Sequence, residues 1–595
     1  MQHSDPSNLS GIRHGLAHLL ASTIIELYPG AKNAIGPAVE DGFYQDLEIP
    51  VSITEEDLPN IEARMREKLK TWGVFSGREV SVSEAREQFA WNPYKLELIN
   101  EFAQNDKTIT FYESGGFIDL CKGGHVDDAR QINPHAFKLT KVSGAYWRGD
   151  QSRQQLQRIY GVAFSTRQEL QAYLAKVEEA KKRDHRRLGQ ELDLFTFSDL
   201  VGAGLPLYTP RGTVIIEELK SALREMSRDY DMQLVSIPHL AKLELYKTSG
   251  HADKFGGELF HVKSHYDQEF ILKPVNCPHH TQIYAARPRS YRELPLRYIE
   301  QTMQYRDEKP GAIGGLQRTR GFTVDDGHTF CRVDQIKQEA SLLVDIIKQF
   351  YESLGLWGNH WVSLSVRDPQ KPEAYIGDVA DWDSAEAMLA EVAEEFSLDA
   401  KRMEGEAALY GPKIDFMFKD ALGRETQLAT VQLDFAMPKR FGLTYTNEDG
   451  HEVPPVMIHR AILGSFERFI MLLIEHFAGK FPVWLAPEQI RLITVNQEEA
   501  TVAFANKVAE QAKALGLRLV VDNDNESVGK KIRNAEVMKV PYSVVIGEKE
   551  METGEMMPRI RKDMAVAEHT ASYTADEFLK TVAHEAKSRV SKTSL

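Results

Sequence analysis

The sequence is poor in cysteine, with only three in 595 residues: Cys121, Cys277 and Cys331. So few cysteines in so long a chain argue against a disulfide framework and predict a reducing compartment. No apolar run is long enough to cross a membrane, and the first residues, MQHSDPSNLSGIRH, have neither a signal-peptide core nor an Arg-rich amphipathic pattern. We therefore expect a cytoplasmic protein without a membrane span.

Positive charge is also scarce, since 72 Lys and Arg face 87 Asp and Glu and leave a net charge of −15. This balance argues against a general polyanion binder, because affinity for phosphate backbones comes from Lys and Arg. A nucleic-acid partner would need local basic patches, and three segments offer them: Lys181, Lys182, Arg183, Arg186 and Arg187; Lys530, Lys531 and Arg533; Arg559, Arg561 and Lys562. The alternative for each patch is a solvated helix face balanced by nearby acids.

A chain of this length is too long for one core and predicts three or four domains. We expect a mixed α and β domain over residues 1–165, a charged linker helix over 166–192, and a large domain over 193–484. Residues 485–595 alternate between apolar strands (490–495, 518–521, 542–547) and helices (498–514, 527–538). This alternation predicts a small α/β domain with a mainly parallel sheet.

The stretch RDEKPGAIGGLQRTRGFTVDDGHTFC, residues 306–331, combines arginines, glycines and acids. Its glycine cluster predicts a tight turn between two antiparallel strands, with Arg306 and Glu308 on one strand opposite Phe322 on the other. Arg306 would then neutralise a phosphate, Glu308 accept from an adenine amine and Phe322 stack on the purine. Taken alone, the pattern fits a charged hairpin with solvated side chains equally well.

A second signal, GSFER at residues 464–468, precedes the apolar helical run FIMLLIEHF. Together with the first stretch it resembles motifs 2 and 3 of the class II aminoacyl-tRNA synthetases. Further blocks in the same order resemble the threonyl-tRNA synthetase family: LKPVNCPHH (272–280), RSYRELPLRYIE (289–300), YGPKIDF (410–416), TVQLDF (430–435) and PVMIHRAILGSFERF (455–469). The resemblance, from about residue 10 to 585, implies an α+β multidomain fold with an antiparallel-sheet catalytic domain, an α+β editing domain and a C-terminal α/β anticodon-binding domain.

The resemblance implies ATP-dependent ligation of L-threonine to tRNA(Thr) through a threonyl-adenylate, in a homodimer whose motif 1 interface lies near residues 230–238. The threonine carboxylate is ionised at pH 7, so catalysis needs positioning and charge neutralisation rather than a base. The implied ATP-binding residues, with Mg²⁺ bridging the phosphates, are Arg306, Glu308, Arg318, Phe322, Gln427, Thr430 and Arg468. Arg306, Arg468, His251 and Lys413 are the implied catalytic residues.

Cys277, His328 and His459 match the family's zinc ligands, and Asp326, Tyr410 and Gln432 match its threonine-binding positions. One thiolate and two imidazoles suit zinc. Their separations of 51 and 131 residues resemble no zinc finger, so spacing alone does not predict a metal. Three ligands would leave the ion open to the amine and hydroxyl of threonine. Cys331, three residues after His328, is a decoy ligand.

Serine keeps both of those groups and lacks only a methyl, worth roughly 1–3 kcal/mol, so the logic requires a second, hydrolytic site. His14 and His18 lie four apart on one helix face, and Cys121 and His125 are also four apart. By composition this set is a second metal site. By resemblance these residues, with Lys95 and Asp119, instead position the ester of Ser-tRNA(Thr) and a water, and we favour that interpretation.

The family's anticodon contacts match Asn525, Lys539, Glu550 and Arg559. Three features depart from the family: Val324 stands where a glutamine is common, Lys122-Gly123-Gly124 replaces RGP, and about ten residues precede His14 where many members have a further small domain. Two other function classes compete. A non-catalytic RNA-binding regulator should lack the motif arginines or a zinc ligand, and a freestanding metallohydrolase leaves the downstream residues unexplained.

Overall fold

The computed structural model describes residues 6–105, 107–150, 152–358, 360–419, 423–565 and 571–595. The chain divides into two compact units, Met1–Glu178 and Glu179–Leu595. Within the described ranges, no helix combines the length and apolarity that a membrane crossing requires.

The first unit contains two antiparallel sheets and a long buried helix. Its helices are α1 (Pro6–Leu27), α2 (Leu58–Leu69), α3 (Val82–Gln88) and α4 (Pro93–Gln104). Its strands are β1 (Lys32–Asn33), β2 (Ala38–Val39), β3 (Gly42–Glu48), β4 (Ser76–Val80), β5 (Ile109–Ser114), β6 (Phe117–Leu120), β7 (Phe137–Tyr146) and β8 (Gln155–Ala163). One sheet has the order β1-β3-β8-β7 with β2 beside β3, and the other has the order β4-β5-β6.

Helix α1 is apolar around most of its surface, which explains why it is the centre of this unit. Leu16, Leu19 and Leu20 have no solvent exposure and pack in one core with Phe43 and Phe137 of the sheet. A helix that is apolar all round is a buried one. Two of the polar residues of α1, His14 and His18, therefore lie on a helix that is packed into the core.

The predicted linker helix over 166–192 is two helices, α5 (Arg167–Arg183) and α6 (His185–Glu191). Asp184 separates them, because its carboxylate accepts from the Arg186 N–H and caps α6. The basic side chains here pair with neighbouring acids, as Lys182 and Arg183 do with Glu179. The alternative of a balanced helix face is thus the better interpretation of this patch.

The middle of the second unit is built on an eight-stranded sheet. Its strands and those around it are β9 (Phe195–Thr196), β10 (Leu207–Tyr208), β11 (Gln233–Leu234), β12 (Leu240–Ala241), β13 (His261–Lys263), β14 (Glu269–Leu272), β15 (Leu296–Tyr305), β16 (Gly321–Cys331), β17 (His360–Val366), β18 (Lys401–Glu404), β19 (Lys413–Lys419), β20 (Glu425–Asp434), β21 (Tyr445–Thr446), β22 (Glu452–Val453) and β23 (Val456–Ala461). The helices are α7 (Pro210–Arg228), α8 (Leu243–Ser249), α9 (His251–Phe255), α10 (Cys277–Ala285), α11 (Ile336–Ser353), α12 (Val379–Glu395), α13 (Ala436–Arg440) and α14 (Phe466–Phe477).

The large sheet has the order β11-β15-β16-β23-β20-β19-β17-β18 and is antiparallel except for its two edge pairs. One face packs on α11, α12 and α14 in a single hydrophobic core. The predicted antiparallel catalytic sheet is therefore present. Its other face is free to carry polar side chains.

The prediction of a tight turn between the strands of Arg306 and Phe322 is wrong. β15 and β16 do pair antiparallel, with Tyr305 opposite Gly321, but the whole segment 306–320 connects them. Arg306 and Glu308 lie in this connection rather than on the strand, and Phe322 faces Gln304. The glycines serve local turns inside the segment, such as the one that pairs Gly314 with Arg318.

The C-terminal part has the predicted alternation. Its strands are β24 (Ile490–Thr494), β25 (Leu519–Asp522), β26 (Tyr542–Ile546), β27 (Glu555–Met556), β28 (Arg559–Ile560) and β29 (Tyr573–Thr574), and its helices are α15 (Glu499–Ala514), α16 (Val528–Val537), α17 (Glu548–Thr553) and α18 (Ala575–Ser588). β25, β24 and β26 are parallel and β28 joins antiparallel. Lys531, expected in a basic patch, is 1% exposed and donates to the carbonyls of Thr494 and Asp522.

Candidate active site

The register of the large sheet collects the predicted polar residues on one face. His328 of β16 pairs with His459 of β23, which pairs with Gln432 of β20, which in turn pairs with Lys413 of β19. Directly paired residues project to the same side of a sheet. Asp326, two residues before His328, shares that side because strand side chains alternate. Four strands thus bring these residues together.

Cys277, His328 and His459 form a compact buried cluster. Cys277 is the first residue of α10, and the three ligand atoms lie within 4.8 Å of one another. Two partners that sequence reasoning missed orient the imidazoles: Asp434 Oδ2 is 2.9 Å from His459 Nε2, and His280 Nδ1 is 2.7 Å from His328 Nδ1. Each histidine keeps its other ring nitrogen for a ligand, which is the usual arrangement behind a metal. The signal for both was present in the blocks TVQLDF and LKPVNCPHH.

The electrostatics of this cluster favour a bound cation. Burial raises the pKa of the Cys277 thiol well above its usual value, and the carboxylates of Asp326 and Asp434 raise it further. Burial likewise lowers the pKa of His328. A divalent ion would reverse the first effect, since a coordinating thiol is deprotonated. The donor set and its buried acids therefore fit zinc.

Cys331 is not part of this cluster. Its side chain projects to the opposite face of β16 and is fully buried in the hydrophobic core. Burial raises the pKa of its thiol. Alternation along the strand explains why a cysteine three residues from His328 faces away from it.

Polar groups for a small substrate surround the cluster. Asn276 Nδ2 donates to Asp326 Oδ2 at 3.0 Å, and the rings of Tyr410 and His459 lie 5.3 Å apart. His251 Nε2 is 3.8 Å from Cys277 Sγ. Burial lowers the pKa of His251 to about 3, with the charge of His459 as a further cause. The imidazole is therefore neutral at pH 7.

A cavity beside the cluster contains the predicted ATP residues except Thr430. Its lining includes Asp326 together with Arg306, Glu308, Arg318, Phe322, Gln427 and Arg468. Thr430 lies next to Gln427, because both side chains donate to Asp415 Oδ1, at 2.8 and 2.7 Å. Asp326 links this cavity to the Cys/His cluster.

The cavity concentrates positive charge. Burial lowers the pKa of Arg306, and the nearby charge of Arg468 lowers it further. Burial and the charge of Arg318 do the same to Arg468. Glu308 Oε2 accepts from Arg318 Nε at 2.8 Å, so one oxygen of this carboxylate is paired with an arginine. Arginines that lie this close together and repel one another favour a bound polyanion.

Arg306 also lies between two aromatic rings. Its guanidinium carbon is 5.2 Å from the centre of the Phe322 ring and 4.7 Å from that of Phe255, a residue that sequence reasoning missed. Cation–π contacts of this kind hold the side chain in place. Phe255 follows His251 by one helical turn on α9, which is the pattern that would have indicated it.

In the first unit, the predicted editing residues converge on one cavity. His14, His18, Lys95, Asp119 and Cys121 line it. Cys121 Sγ is 3.6 Å from His14 Nε2 and 3.6 Å from Nε2 of His125, which completes the group. Asp119 bridges the other two, with Lys95 Nζ at 2.6 Å and His18 Nδ1 at 3.1 Å.

The acidic and basic groups of this cavity shift one another's pKa values towards the charged forms. Burial alone would lower the pKa of His18, but Asp119 and Cys121 outweigh it and raise that pKa to about 9. Burial would raise the pKa of Cys121, but its contacts with His125, His14 and His18 lower it to about 4. His14, His18 and Cys121 also have ligand atoms within 4.8 Å of one another, so the metal alternative keeps its geometric basis.

The predicted anticodon residues fall in two places. Lys539 and Arg559 line one cavity of the C-terminal part, with Lys480, Arg561 and Lys562. Asn525 follows β25 and Glu550 is on α17, where its carboxylate accepts from the Gly547 N–H at 2.9 Å. Neither lines that cavity.

Comparison with known families defines the class of protein. The family "tRNA synthetase class II core domain (G, H, P, S and T)" matches residues 260–477. The "anticodon binding domain" matches 489–583, and the "threonyl and alanyl tRNA synthetase second additional domain" matches 109–160. The fold and these matches define a multidomain class II aminoacyl-tRNA synthetase.

The similar proteins narrow this class. The chain is 47% identical to the threonine–tRNA ligase of Gloeobacter violaceus over 94% of its length and 90% of that protein. It is also 47% identical to that of Thermus thermophilus, over 94% and 87%. A crystal structure of the RNA-binding domain of Cryptosporidium parvum threonyl-tRNA synthetase superposes with a TM-score of 0.63 at 33% identity, over 67% of this chain and 98% of that one. The chain belongs to the threonine–tRNA ligase family.

Proposed function

We propose that the protein uses ATP to ligate L-threonine to tRNA(Thr) through a threonyl-adenylate. The observation that carries this proposal is the adjacency of two sites on one sheet face: a Cys/His cluster fit for zinc and a cavity with three arginines, joined through Asp326. ATP and Mg²⁺ are expected for a class II synthetase, and zinc is part of the proposal. All the motif arginines are present, which argues against a non-catalytic regulator.

Within the proposed site, each residue has a physical role. Cys277, His328 and His459 would hold zinc, which supplies a Lewis acid for the amine and hydroxyl of threonine. Asp326 accepts from the hydroxyl, with Tyr410 and Gln432 beside it. Arg306 and Arg468 neutralise the phosphates while the threonine carboxylate attacks the α-phosphate in line, and pyrophosphate leaves. Glu308, Arg318, Phe322, Gln427 and Thr430 hold the nucleotide, and His251 and Lys413 contact the reacting groups.

The proposed second activity is hydrolysis of Ser-tRNA(Thr) in the first unit. Ester hydrolysis needs a water near the carbonyl and a positive group for the developing oxyanion. The histidines and Cys121 would orient the water and ester, and Lys95 and protonated His18 would supply the charge. The charges of this cavity support the interpretation without a metal.

The test of the main proposal is ATP–pyrophosphate exchange measured across the amino acids. Threonine should support exchange, and valine should fail by a factor on the order of 10⁴, because a site that bonds a hydroxyl rejects the analogue without it. Serine should be rejected by only about 10 to 200-fold. Equal exchange with valine and threonine would refute the proposed chemistry.

We propose that Asn525, Lys539, Glu550 and Arg559 read the anticodon. Polar side chains suit splayed single-stranded bases, which they recognise by their edges. Glu550→Ala should weaken charging of tRNA(Thr) about tenfold and leave threonine-dependent exchange unchanged. Glu548→Ala, on the same helix, is the matched control. Equal losses in both assays would indicate damage to the fold.

We further propose a cytoplasmic homodimer with domains over 1–165 (editing), 166–192 (linker), 193–484 (catalytic) and 485–595 (anticodon). β11 within residues 230–238 is an edge strand of the large sheet, and Leu234 on it is 61% exposed. An exposed apolar edge strand suits an interface. Leu234→Lys should shift the mass in solution from dimer to monomer, whereas Leu200→Lys, at a fully exposed leucine, should not.

A further inference from the structure

His185, the first residue of α6, has no part in the chemistry described above, yet it is 5% exposed and hydrogen-bonded at both ring nitrogens. Nδ1 lies 2.8 Å from Oε1 of Glu475, a buried residue near the end of α14. Nε2 accepts from the backbone N–H of Leu316 at 3.2 Å. Three segments far apart in the sequence therefore meet at one imidazole.

The chemistry of these partners assigns the tautomer. A backbone N–H can only donate, so Nε2 must be the unprotonated nitrogen. The ring proton is then on Nδ1 and is donated to the carboxylate of Glu475. The two ring nitrogens thus have distinct roles, since Nδ1 anchors the ring to α14 and Nε2 holds the connection between β15 and β16.

The bonded peptide belongs to a turn at the ATP cavity. The Gly314 N–H donates to the Arg318 carbonyl at 3.2 Å, which closes the turn. Arg468, at the start of α14, donates from Nε to the carbonyl of Gln317 at 2.9 Å. Helix α14 therefore contacts two successive residues of the turn. Arg468 bonds directly to Gln317, and Glu475 acts on Leu316 through His185.

The turn is shaped around the imidazole. Gly315 has φ of +51°, and a Cβ there would lie 2.3 Å from His185 Nε2. Only glycine allows the chain to pass so close in this conformation. Arg318, the last residue of the turn, extends to Glu308 at 2.8 Å.

We propose that His185 is a positioning residue for ATP: by accepting from Leu316 through Nε2 it fixes the turn that carries Arg318 and that Arg468 contacts from α14. This inference rests on the proposed ATP role of those two arginines. A merely structural role for His185, anchoring α6 through Glu475, depends on Nδ1 instead. The two roles therefore require different ring atoms.

Substitutions of His185 distinguish the positioning role from the structural role. The measurement is the KM for ATP in ATP–pyrophosphate exchange with the full chain. His185→Gln keeps an acceptor near the Nε2 position, whereas His185→Asn keeps a donor near Nδ1 and cannot reach Leu316. We expect His185→Asn and His185→Phe to raise the KM for ATP about tenfold, the effect of losing one buried hydrogen bond, with the KM for threonine unchanged. His185→Gln should stay within about twofold of wild type. His360→Phe, at a half-buried histidine of β17, is the control.

The inference is overturned if His185→Asn keeps the wild-type KM for ATP while His185→Gln loses it, or if the KM values for ATP and threonine change together. Thermal unfolding shows whether each variant is folded. If His185→Phe is not folded, the comparison of His185→Asn with His185→Gln still tests the inference. Arg318→Ala tests the underlying assignment separately. If Arg318→Ala leaves the KM for ATP unchanged, the proposed ATP role fails; if only the His185 variants leave it unchanged, this inference alone fails.

Discussion

The two Cys/His clusters found among the described residues have nearly the same composition and opposite electrostatics. Burial and the carboxylates of Asp326 and Asp434 keep the Cys277 thiol protonated. At Cys121, histidine contacts overcome burial and lower the pKa of the thiol to about 4. In the first cluster the neighbouring charge is negative, and in the second it is the positive charge of His18.

This difference favours a metal at the first cluster over a metal at the second, although both groups have metal-binding geometry. A buried acidic surrounding with a neutral thiol is stabilised by a divalent cation. In the second cluster the Cys121 thiolate is neutralised by protonated His18, and the Asp119 carboxylate is paired with Lys95. The presence of Cys and His side chains close together is therefore a weaker sign of a metal than the net charge of the residues around them.

The largest expected effect is at the catalytic cluster. Cys277→Ser should remove bound zinc and lower threonine-dependent exchange by about 10³-fold or more, because the amine and hydroxyl of threonine would lose the ion that orients them. Cys331→Ser, at the decoy position, should keep both. Metal analysis that finds one zinc per chain in Cys277→Ser, with normal exchange, would contradict the assignment.

A change in the editing cluster should affect Ser-tRNA(Thr) hydrolysis and not threonine activation. The double variant His14→Ala with His18→Ala should slow deacylation of purified Ser-tRNA(Thr) by about 10² to 10³-fold and leave threonylation intact, since it removes the groups that orient water. The measurement is repeated with a chelator. If the chelator stops deacylation by the wild-type protein, the editing cluster is a metal site and the contrast with the Cys277 cluster is wrong.

Asp434→Asn sharpens the comparison at the catalytic cluster. The amide oxygen can still accept from the Ala436 and Met437 N–H groups, as Asp434 Oδ1 does, but the negative charge behind His459 is lost. Zinc affinity should fall by about 10 to 100-fold, the usual cost of losing such a partner. Metal titration against Asp415→Asn as control measures it, and an unchanged affinity would show that Asp434 does not support the metal.

The smallest effect is a pH dependence. Below its pKa near 8.5, an ordinary thiol is alkylated about tenfold faster for each unit that the pH rises, because only the thiolate reacts. Cys121, with a pKa of about 4, is ionised throughout, so its alkylation by iodoacetamide should be nearly constant from about pH 6 to 8. His18→Gln should restore only part of the ordinary slope, since His125 and His14 also lower the pKa of the thiol. A wild-type rate that rises about tenfold per unit would show that the thiol is neutral.

Much of the site could be predicted from contiguous residues. The alternation of apolar strands and helices after Ile490 predicted the parallel sheet, because periodicity is a local property. The tight turn before Phe322 failed, since glycines indicate turns but not how many residues a connection contains. Asp434 and His280 lay in the predicted blocks, yet their contacts with the cluster depend on the sheet register.

The sequence by itself determined the order of the motifs, the family, and which side chains are available for zinc, ATP and editing. Only the tertiary structure decided that Cys331 faces the core, that Lys531 is buried, and that His185 reaches Leu316. It also decided the charge of each thiol. A pKa depends on burial and on charges a few ångströms away, and here those charges come from residues as distant in sequence as His18 and Cys121.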